Sequence, residues 1–399
     1  MASPPELVKK PFQHLEVLKF SYFLPTKLTF GFGAIEGLGA EAAALGAANV
    51  LLVTDKVMVK TGIAQKAADR LTGSTVDIFD EVEAEPKIEV AQAVADRARS
   101  RTYDMVLGVG GGSSMDMAKV AAGFATNTGP ARSFVGNNLF VKKPLPSIMV
   151  PTTAGTGAEL TVTSMVTVEG RKQWINSPLL LPSVAVVDPD LTMSMPPGVT
   201  AATGMDALCH NTEAYLSDLA SPITDAAALV GIGLIVGSLE RAFDDGGNRS
   251  AREAMSLGAL MGGIALQAKM VYGHSIGYTL ATRFRLAHGV SCGLPLPYVV
   301  TNYAVASGPK MKKLASAFGV DQEGEPVELG LAIGEKVRSI ASHLKIPTTL
   351  KELGVEAEDL PALAEECLSI YPRPNSPLVF DRKSMTELYR RMWEGKLAA

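Results

Sequence analysis

The chain has only five histidines in 399 residues, and three of them, His210, His274 and His288, fall within about 80 residues of one another. In the string GMDALCHNTEAYL, Asp206 and His210 stand four apart in a helical pattern, so both side chains leave one face of a helix toward one point. Such a pair also serves as an ordinary helix-surface hydrogen bond. Taken with His274, on a Gly- and Ala-rich apolar segment, and His288, in a loop ahead of Gly289, it makes one oxygen and three nitrogen donors, a set suited to Fe(II) or Zn(II). His14 and His343 fit everyday polar roles. Cys209, three residues from Asp206, lies partly off the ligand face and reads as packing.

Two loops could hold a charged cofactor. YDMVLGVGGGSSMDMAK passes from an apolar strand through Gly110, Gly111, Gly112 and Ser113 into a helix that includes Asp116 and Lys119. Glycines let a phosphate approach the backbone closely, and a helix N-terminus offers free N–H groups and the positive end of a dipole. The string is neither GxGxxG nor a P-loop, and an ordinary tight strand-to-helix turn would read the same way. A second loop, MVPTTAGTGAE, also follows a strand and gathers Thr152, Thr153, Gly155, Thr156 and Gly157, whose hydroxyl and N–H groups suit a ribose, a phosphate or a carboxamide. Asp55, ending LLVTD, could accept hydrogen bonds from a ribose 2′-hydroxyl and repel a 2′-phosphate; an Asx turn or a helix cap is the plain alternative.

The elements that must position these residues fall into two halves. From about residue 47 to 190, short β-branched runs alternate with Ala-rich stretches, the signature of βαβ units and a parallel sheet. Strands are expected at Asn49 to Thr54, Asp77 to Phe79, Met105 to Val109, Ser147 to Val150 and Val184 to Val187, with helices near 59–72, 87–101 and 114–126. After Pro196 and Pro197 the pattern turns to long helical spacing without alternating strands. The expected division is an α/β dinucleotide-binding domain over 1–193, Rossmann-like with a parallel sheet, and an all-helical domain over 194–399 that carries the metal.

Composition limits the partners. A charged fraction of 20% with net charge -4, and no run of Lys or Arg beyond pairs, removes the footprint that nucleic acids or anionic membranes need. The segment MASPPELVKKPFQHLEV lacks the apolar stretch of a secretory signal, and the apolar segment from Ala226 to Leu239 is too short to span a bilayer. Three cysteines without CxxC spacing fit a reducing compartment, so the expected location is cytoplasmic.

FGFGAIEGLG, LLVTD, GVGGGSSMDMAK, VPTTAGTGAE, VAVVDPDLTMSMPP, TAATGMDALCHNTEAYLS and the HG at His288 occur in an order and spacing that resemble the iron-containing (group III) alcohol dehydrogenase family from about Lys27 onward. The resemblance implies a dehydroquinate synthase-like architecture, with NAD(P) and a divalent metal in a cleft between the two domains and a homodimer or larger homo-oligomer. It selects the same four ligands, Asp206, His210, His274 and His288, with Fe(II) ahead of Zn(II). It places Gly111, Gly112, Ser113, Thr152, Thr153 and Lys172 around the dinucleotide, and Asp55 favours NAD over NADP. Many members carry a further histidine four residues after the ligand here numbered His274; this chain has Tyr278, which either relays a proton in its place or lines the pocket. Glu85 stands where many members have Asn.

The activity this implies is reversible hydride transfer between an alcohol and its aldehyde or ketone, with His274 and Tyr278 nearest the chemistry. Two other readings stand beside it: a reductase for an anionic carboxylate or phosphonate aldehyde or oxoacid, in which Arg283 or Arg285 turns inward instead of lying at the surface, and a related NAD- and metal-dependent cyclising lyase.

Overall fold

The computed structural model describes residues 19–398, so His14 and the whole segment read above for a leader lie outside the described residues. Among the described residues two compact units emerge, one from Phe23 to Met195 and one that begins at Pro196, with which residues 19–22 group.

In the first unit the elements in chain order are β1 (Lys27–Phe30), α1 (Leu38–Ala44), β2 (Asn49–Val53), α2 (Lys56–Lys60), α3 (Ile63–Asp69), β3 (Thr75–Phe79), α4 (Ile88–Arg99), β4 (Met105–Gly110), α5 (Gly112–Thr126), β5 (Gly136–Asn137), β6 (Ser147–Pro151), β7 (Thr163–Val168), β8 (Arg171–Asn176) and β9 (Val184–Val187). Six strands form one sheet in the order β1-β9-β6-β4-β2-β3, parallel at every pairing. The apolar runs explain this: β4, β6 and β9 are buried along their whole length, as a parallel sheet covered on both faces requires. Alternate residues feed two cores. Leu51, Val53, Val106 and Met149 meet α4 and α5 through Ala91, Val94, Met115 and Ala118. Val50, Leu52, Leu107 and Val109 meet Leu38, Ala42, Ala64 and Ala67 of α1 and α3.

Three features depart from the sequence expectation. The helix expected at 59–72 is broken into α2 and α3, because the chain turns left-handed at Gly62 (φ 78°). β1 was not anticipated, being a four-residue edge strand that is half exposed. Nor was the small sheet β5-β8-β7, where β7 and β8 form an antiparallel hairpin turned by Glu169 and Gly170, both at positive φ (51° and 74°).

The second unit is helical throughout its described residues. Its helices are α6 (Pro197–Tyr215), α7 (Pro222–Val236), α8 (Leu239–Asp244), α9 (Arg249–Ala265), α10 (Tyr272–Phe284), α11 (His288–Gly293), α12 (Leu296–Ser307), α13 (Lys310–Phe318), α14 (Pro326–His343), α15 (Leu360–Ile370) and α16 (Arg382–Glu394). α6 is buried continuously from Gly204 to Tyr215, so its polar side chains must find partners inside the unit. Among the described residues no single helix is long and apolar enough to cross a membrane.

Candidate metal centre and cofactor loops

Asp206, His210 and Glu213 lie at i, i+4 and i+7 on α6, one face of a buried helix. α10 brings His274 to that face in its first turn, and α11 brings His288 as its first residue; His288 therefore opens a helix and does not sit in the loop expected from sequence. One donor atom from each of Asp206, His210, His274 and His288 lies within 4.8 Å of all the others. From Asp206 Oδ1 the three Nε2 atoms stand at 3.7 Å (His210), 3.5 Å (His274) and 3.5 Å (His288). These spacings are long for a hydrogen bond, and close to the roughly 3.4 Å that separates tetrahedral donors each held about 2.1 Å from one ion. Asp206 Oδ1 and His274 Nε2 are buried and hydrogen-bond to nothing among the described residues. A buried carboxylate oxygen and a buried imidazole nitrogen left so together fit a divalent cation.

Electrostatics fit as well. Burial pushes the Asp206 carboxyl up, but the imidazoles of His210, His288 and His274 overcome this and hold it below the usual carboxylate range. Burial would lower His274, yet Cys292, Glu213 and Asp206 raise it well above its ordinary value, and Cys292 and Asp206 raise His288 likewise against burial. The arrangement attracts positive charge, whether carried by protons or by a metal.

Glu213 is a site residue that the sequence reading missed. Fully buried, it accepts from His274 Nδ1 at 2.6 Å and from the His274 backbone N–H at 3.1 Å. It thereby fixes the proton on Nδ1, leaves Nε2 to face Asp206, and satisfies an N-terminal N–H of α10. The space for it exists because residue 273 is glycine: a Cβ there would stand 2.5 Å from Glu213 Oε1. Gly289, next to His288, is equally constrained, since a Cβ would fall 1.7 Å from the Ala202 carbonyl oxygen on α6. The visible signal for Glu213 was its place one turn beyond His210.

Tyr278 is buried one turn after His274. Its ring stacks on His288 (centroids 5.8 Å apart, 15° between planes) and meets His274 edge-on at 6.1 Å. Burial pushes its phenol above the usual value, with His274 and Arg373 partly opposing. Arg283 and Arg285 do not turn into this site. Both are exposed; Arg283 pairs with Asp359 at 3.5 Å, and Arg285 ends α10 in the left-handed region (φ 52°). The reason is helix length: nine residues separate Arg283 from His274, a rise of about 13 Å.

In the α/β unit the two loops expected from sequence are neighbours, because β4 and β6 pair side by side with Gly110 opposite Pro151. Gly110 (φ 145°) and Gly111 lead into α5, which begins at Gly112 without a side-chain cap, so its first N–H groups remain open to an anion. Thr152 N–H donates to the Gly110 carbonyl at 2.9 Å, and a Cβ on Gly112 would stand 2.6 Å from Thr156 Cγ2. A Cβ on Gly111 would stand 3.5 Å from Thr153 Cγ2 and Oγ1, Ser113 follows in the first turn of α5, and the buried Thr152 hydroxyl hydrogen-bonds to nothing among the described residues. Asp55 caps α2, accepting from Val57 N–H (2.8 Å) and Met58 N–H (3.0 Å) through Oδ1, while Oδ2 accepts from Ser114 Oγ at 3.1 Å. Lys172 lies on β8, ion-paired with Glu85. Glu85 itself holds a left-handed φ of 57°, a conformation that Asn tolerates better than Glu.

A parallel α/β unit with paired glycine and threonine loops, and a helical unit with an Asp–His₃ cluster, define a class of two-domain, metal-dependent nucleotide enzymes. The family model for iron-containing alcohol dehydrogenases matches residues 25–189, and that for the C-terminal part of the same family matches residues 200–393. The chain belongs to the iron-containing alcohol dehydrogenase family, whose members are alcohol and aldehyde oxidoreductases. It is 36% identical to long-chain-alcohol dehydrogenase 1 of Geobacillus thermodenitrificans over 85% of this chain and 87% of that one. Among solved structures it resembles a 1,3-propanediol oxidoreductase (TM-score 0.88, 34% identity, 94% of this chain and 100% of that one). It also resembles sulfoacetaldehyde reductase from Bifidobacterium kashiwanohense in complex with NAD+ (TM-score 0.86, 29% identity, 94% and 99%).

Proposed function

We propose that this protein is an NAD-dependent alcohol dehydrogenase in which Asp206, His210, His274 and His288 hold Fe(II), with Zn(II) the other ion the donors accept. The convergence of four donor atoms within 4.8 Å, two of them buried without hydrogen bonds, carries the reading. When bound, the ion supplies Lewis acidity to an alcohol or carbonyl oxygen. The chain's own residues do the rest. Glu213 orients His274, and Gly273 and Gly289 let α10 and α11 close on α6. The N–H groups at Gly112 and Ser113 receive the pyrophosphate, with Gly110 and Gly111 keeping the approach clear, and Thr152, Thr153 and Thr156 bind the polar groups beyond it. Lys172 supports the same site from β8. Asp55 offers Oδ2 to a ribose hydroxyl in place of Ser114 and repels a 2′-phosphate, favouring NAD over NADP. When bound, NAD would supply the hydride acceptor, so that an alcohol would give its carbonyl compound, NADH and a proton. Tyr278, with its phenol raised by burial, stays protonated near neutral pH, so it walls the site and donates but does not act as base. Buried, unbridged Cys209, Cys292 and Cys367 support a reducing, cytoplasmic setting, and a homo-oligomer is the expected assembly.

His274→Ala tests the centre. Metal content and NAD reduction by an alcohol panel should be lost together, since three ligands without the imidazole that Glu213 orients hold the ion poorly. Full metal in an inactive variant would remove His274 from the ligand set.

A further inference from the structure

One arginine is tied to the residue that follows His274 by a route that no local spacing reveals. Arg373 lies between Pro372 and Pro374 in the connection from α15 to α16, and the next residue pins that connection: Asn375 Nδ2 donates to Ser217 Oγ at 2.9 Å and to the Met270 carbonyl at 3.1 Å. Arg373 Nε donates to Ser275 Oγ at 2.7 Å, and the same hydroxyl donates to the Tyr371 carbonyl at 2.7 Å. Ser275 is fully buried and directly follows His274. The guanidinium carbon stands 5.8 Å from the centroid of Tyr278, the ring that stacks on His288. Tyr371 packs edge-on to Tyr278 at 5.2 Å, so an aromatic wall separates the guanidinium from the imidazoles.

Arg373 is only partly buried, and no acidic side chain among the described residues pairs with it. Arg373 hydrogen-bonds to Tyr278 as well as to Ser275, and the remaining N–H groups of its five can take the oxygens of a carboxylate or sulfonate. A guanidinium partly withdrawn from water without a carboxylate calls for an anion.

Resting on the dehydrogenase reading above, we propose that Arg373 is the specificity-determining residue of this site and selects short-chain aldehydes and alcohols that carry an anionic group at the far end. The reacting oxygen lies at the Asp206–His cluster, the carbon chain along Tyr278 and Tyr371, and the anionic end on Arg373.

The test compares 4-oxobutanoate with butanal as substrates of the metal-loaded protein with NADH, and measures binding of propane-1-sulfonate, a weakly coordinating anion, by calorimetry. The parent should favour 4-oxobutanoate in kcat/KM. Arg373→Met should lower kcat/KM for 4-oxobutanoate roughly tenfold to a hundredfold, as for a lost charged hydrogen bond, with butanal changed less than about threefold. Arg373→Lys should keep part of the preference, and propane-1-sulfonate binding should vanish in the Met variant alone. An unchanged preference in Arg373→Met, or an equal fall for both substrates, would overturn the proposal and leave Arg373 as a brace for Ser275. Loss of sulfonate binding in Arg373→Met while the parent turns over neither substrate would uphold the anion site and sink the dehydrogenase reading. Turnover of both substrates without Arg373-dependent sulfonate binding would do the reverse.

Discussion

Replacing Glu213 with Gln keeps the side-chain volume and removes one negative charge from a fully buried site. The carboxylate faces two donors, His274 Nδ1–H and the His274 backbone N–H, at 2.6 Å and 3.1 Å. An amide offers one acceptor and two donors, so it cannot serve both. With its oxygen on Nδ1–H, the NH₂ group confronts the backbone N–H, and one buried donor is orphaned at a cost of about 1–3 kcal/mol. Turned the other way, the amide forces the imidazole proton onto Nε2, the atom that faces Asp206, and His274 can no longer ligate. Either outcome weakens the metal site, and loss of such an outer partner lowers metal affinity by roughly tenfold to a hundredfold. Chelator competition for Zn(II), and anaerobically for Fe(II), measures this directly in parent and Glu213→Gln, with urea unfolding of the metal-free proteins reporting the orphaned donor. Equal metal affinity in the two, within about twofold, would show that Glu213 does not set the His274 tautomer, and the argument would fail.

Other expectations are as sharp. Burial pushes the Glu159 carboxyl from 4.5 up to about 7, so the folded protein keeps a proton that the unfolded chain releases above pH 4.5. Stability should therefore fall as pH rises from about 4.5 to about 7 and then level. Glu159→Gln should lack that loss, gaining on the parent by roughly 2–3 kcal/mol between pH 5 and pH 8; parallel urea midpoints at both pH values would contradict it. Gly289→Ala puts a methyl 1.7 Å from the Ala202 carbonyl oxygen, so α11 must shift from α6 and carry His288 with it. Metal content should drop in a protein that still folds, and a fully metal-loaded variant would refute the close-approach argument. Asp55→Ala should raise the NADP-to-NAD ratio of kcat/KM and cost about 1 kcal/mol through the lost α2 cap; an unchanged ratio would make Asp55 a cap and nothing more.

The parallel sheet was legible because strands buried on both faces are written as near-continuous apolar runs, VLLV within β2 and VAVV in β9 above all. β8, read as RKQWIN, was not, since a half-exposed strand in a three-stranded sheet carries charges where the pattern asks for apolar residues. The same contrast runs through the site. Asp206 and His210 announce themselves by helical spacing, and His274 and His288 by rarity. Glu213 shares their face, but a glutamate on a helix is common, and its partner lies 61 residues away on another helix. Arg373 is 98 residues from Ser275, and only packing joins them, whereas Arg283 and Arg285 looked attractive because they were close in the chain.

The first turn of α10 shows why neighbours in sequence take such different parts. Gly273 contributes an absence of side chain, and the space admits Glu213. His274 is turned by that carboxylate so that Nε2 faces Asp206. Ser275 points the other way, to the Tyr371 carbonyl and Arg373. A helix turn sends consecutive side chains out about 100° apart, so one turn can face an outer carboxylate, a metal and a substrate-binding arm at once. The metal side of this turn depends on α6 and α11, and the substrate side on the connection between α15 and α16. Substitutions in that connection are therefore free to change which alcohol is taken while leaving the four donors in place, so a change of specificity at Arg373 requires no change at Asp206, His210, His274 or His288.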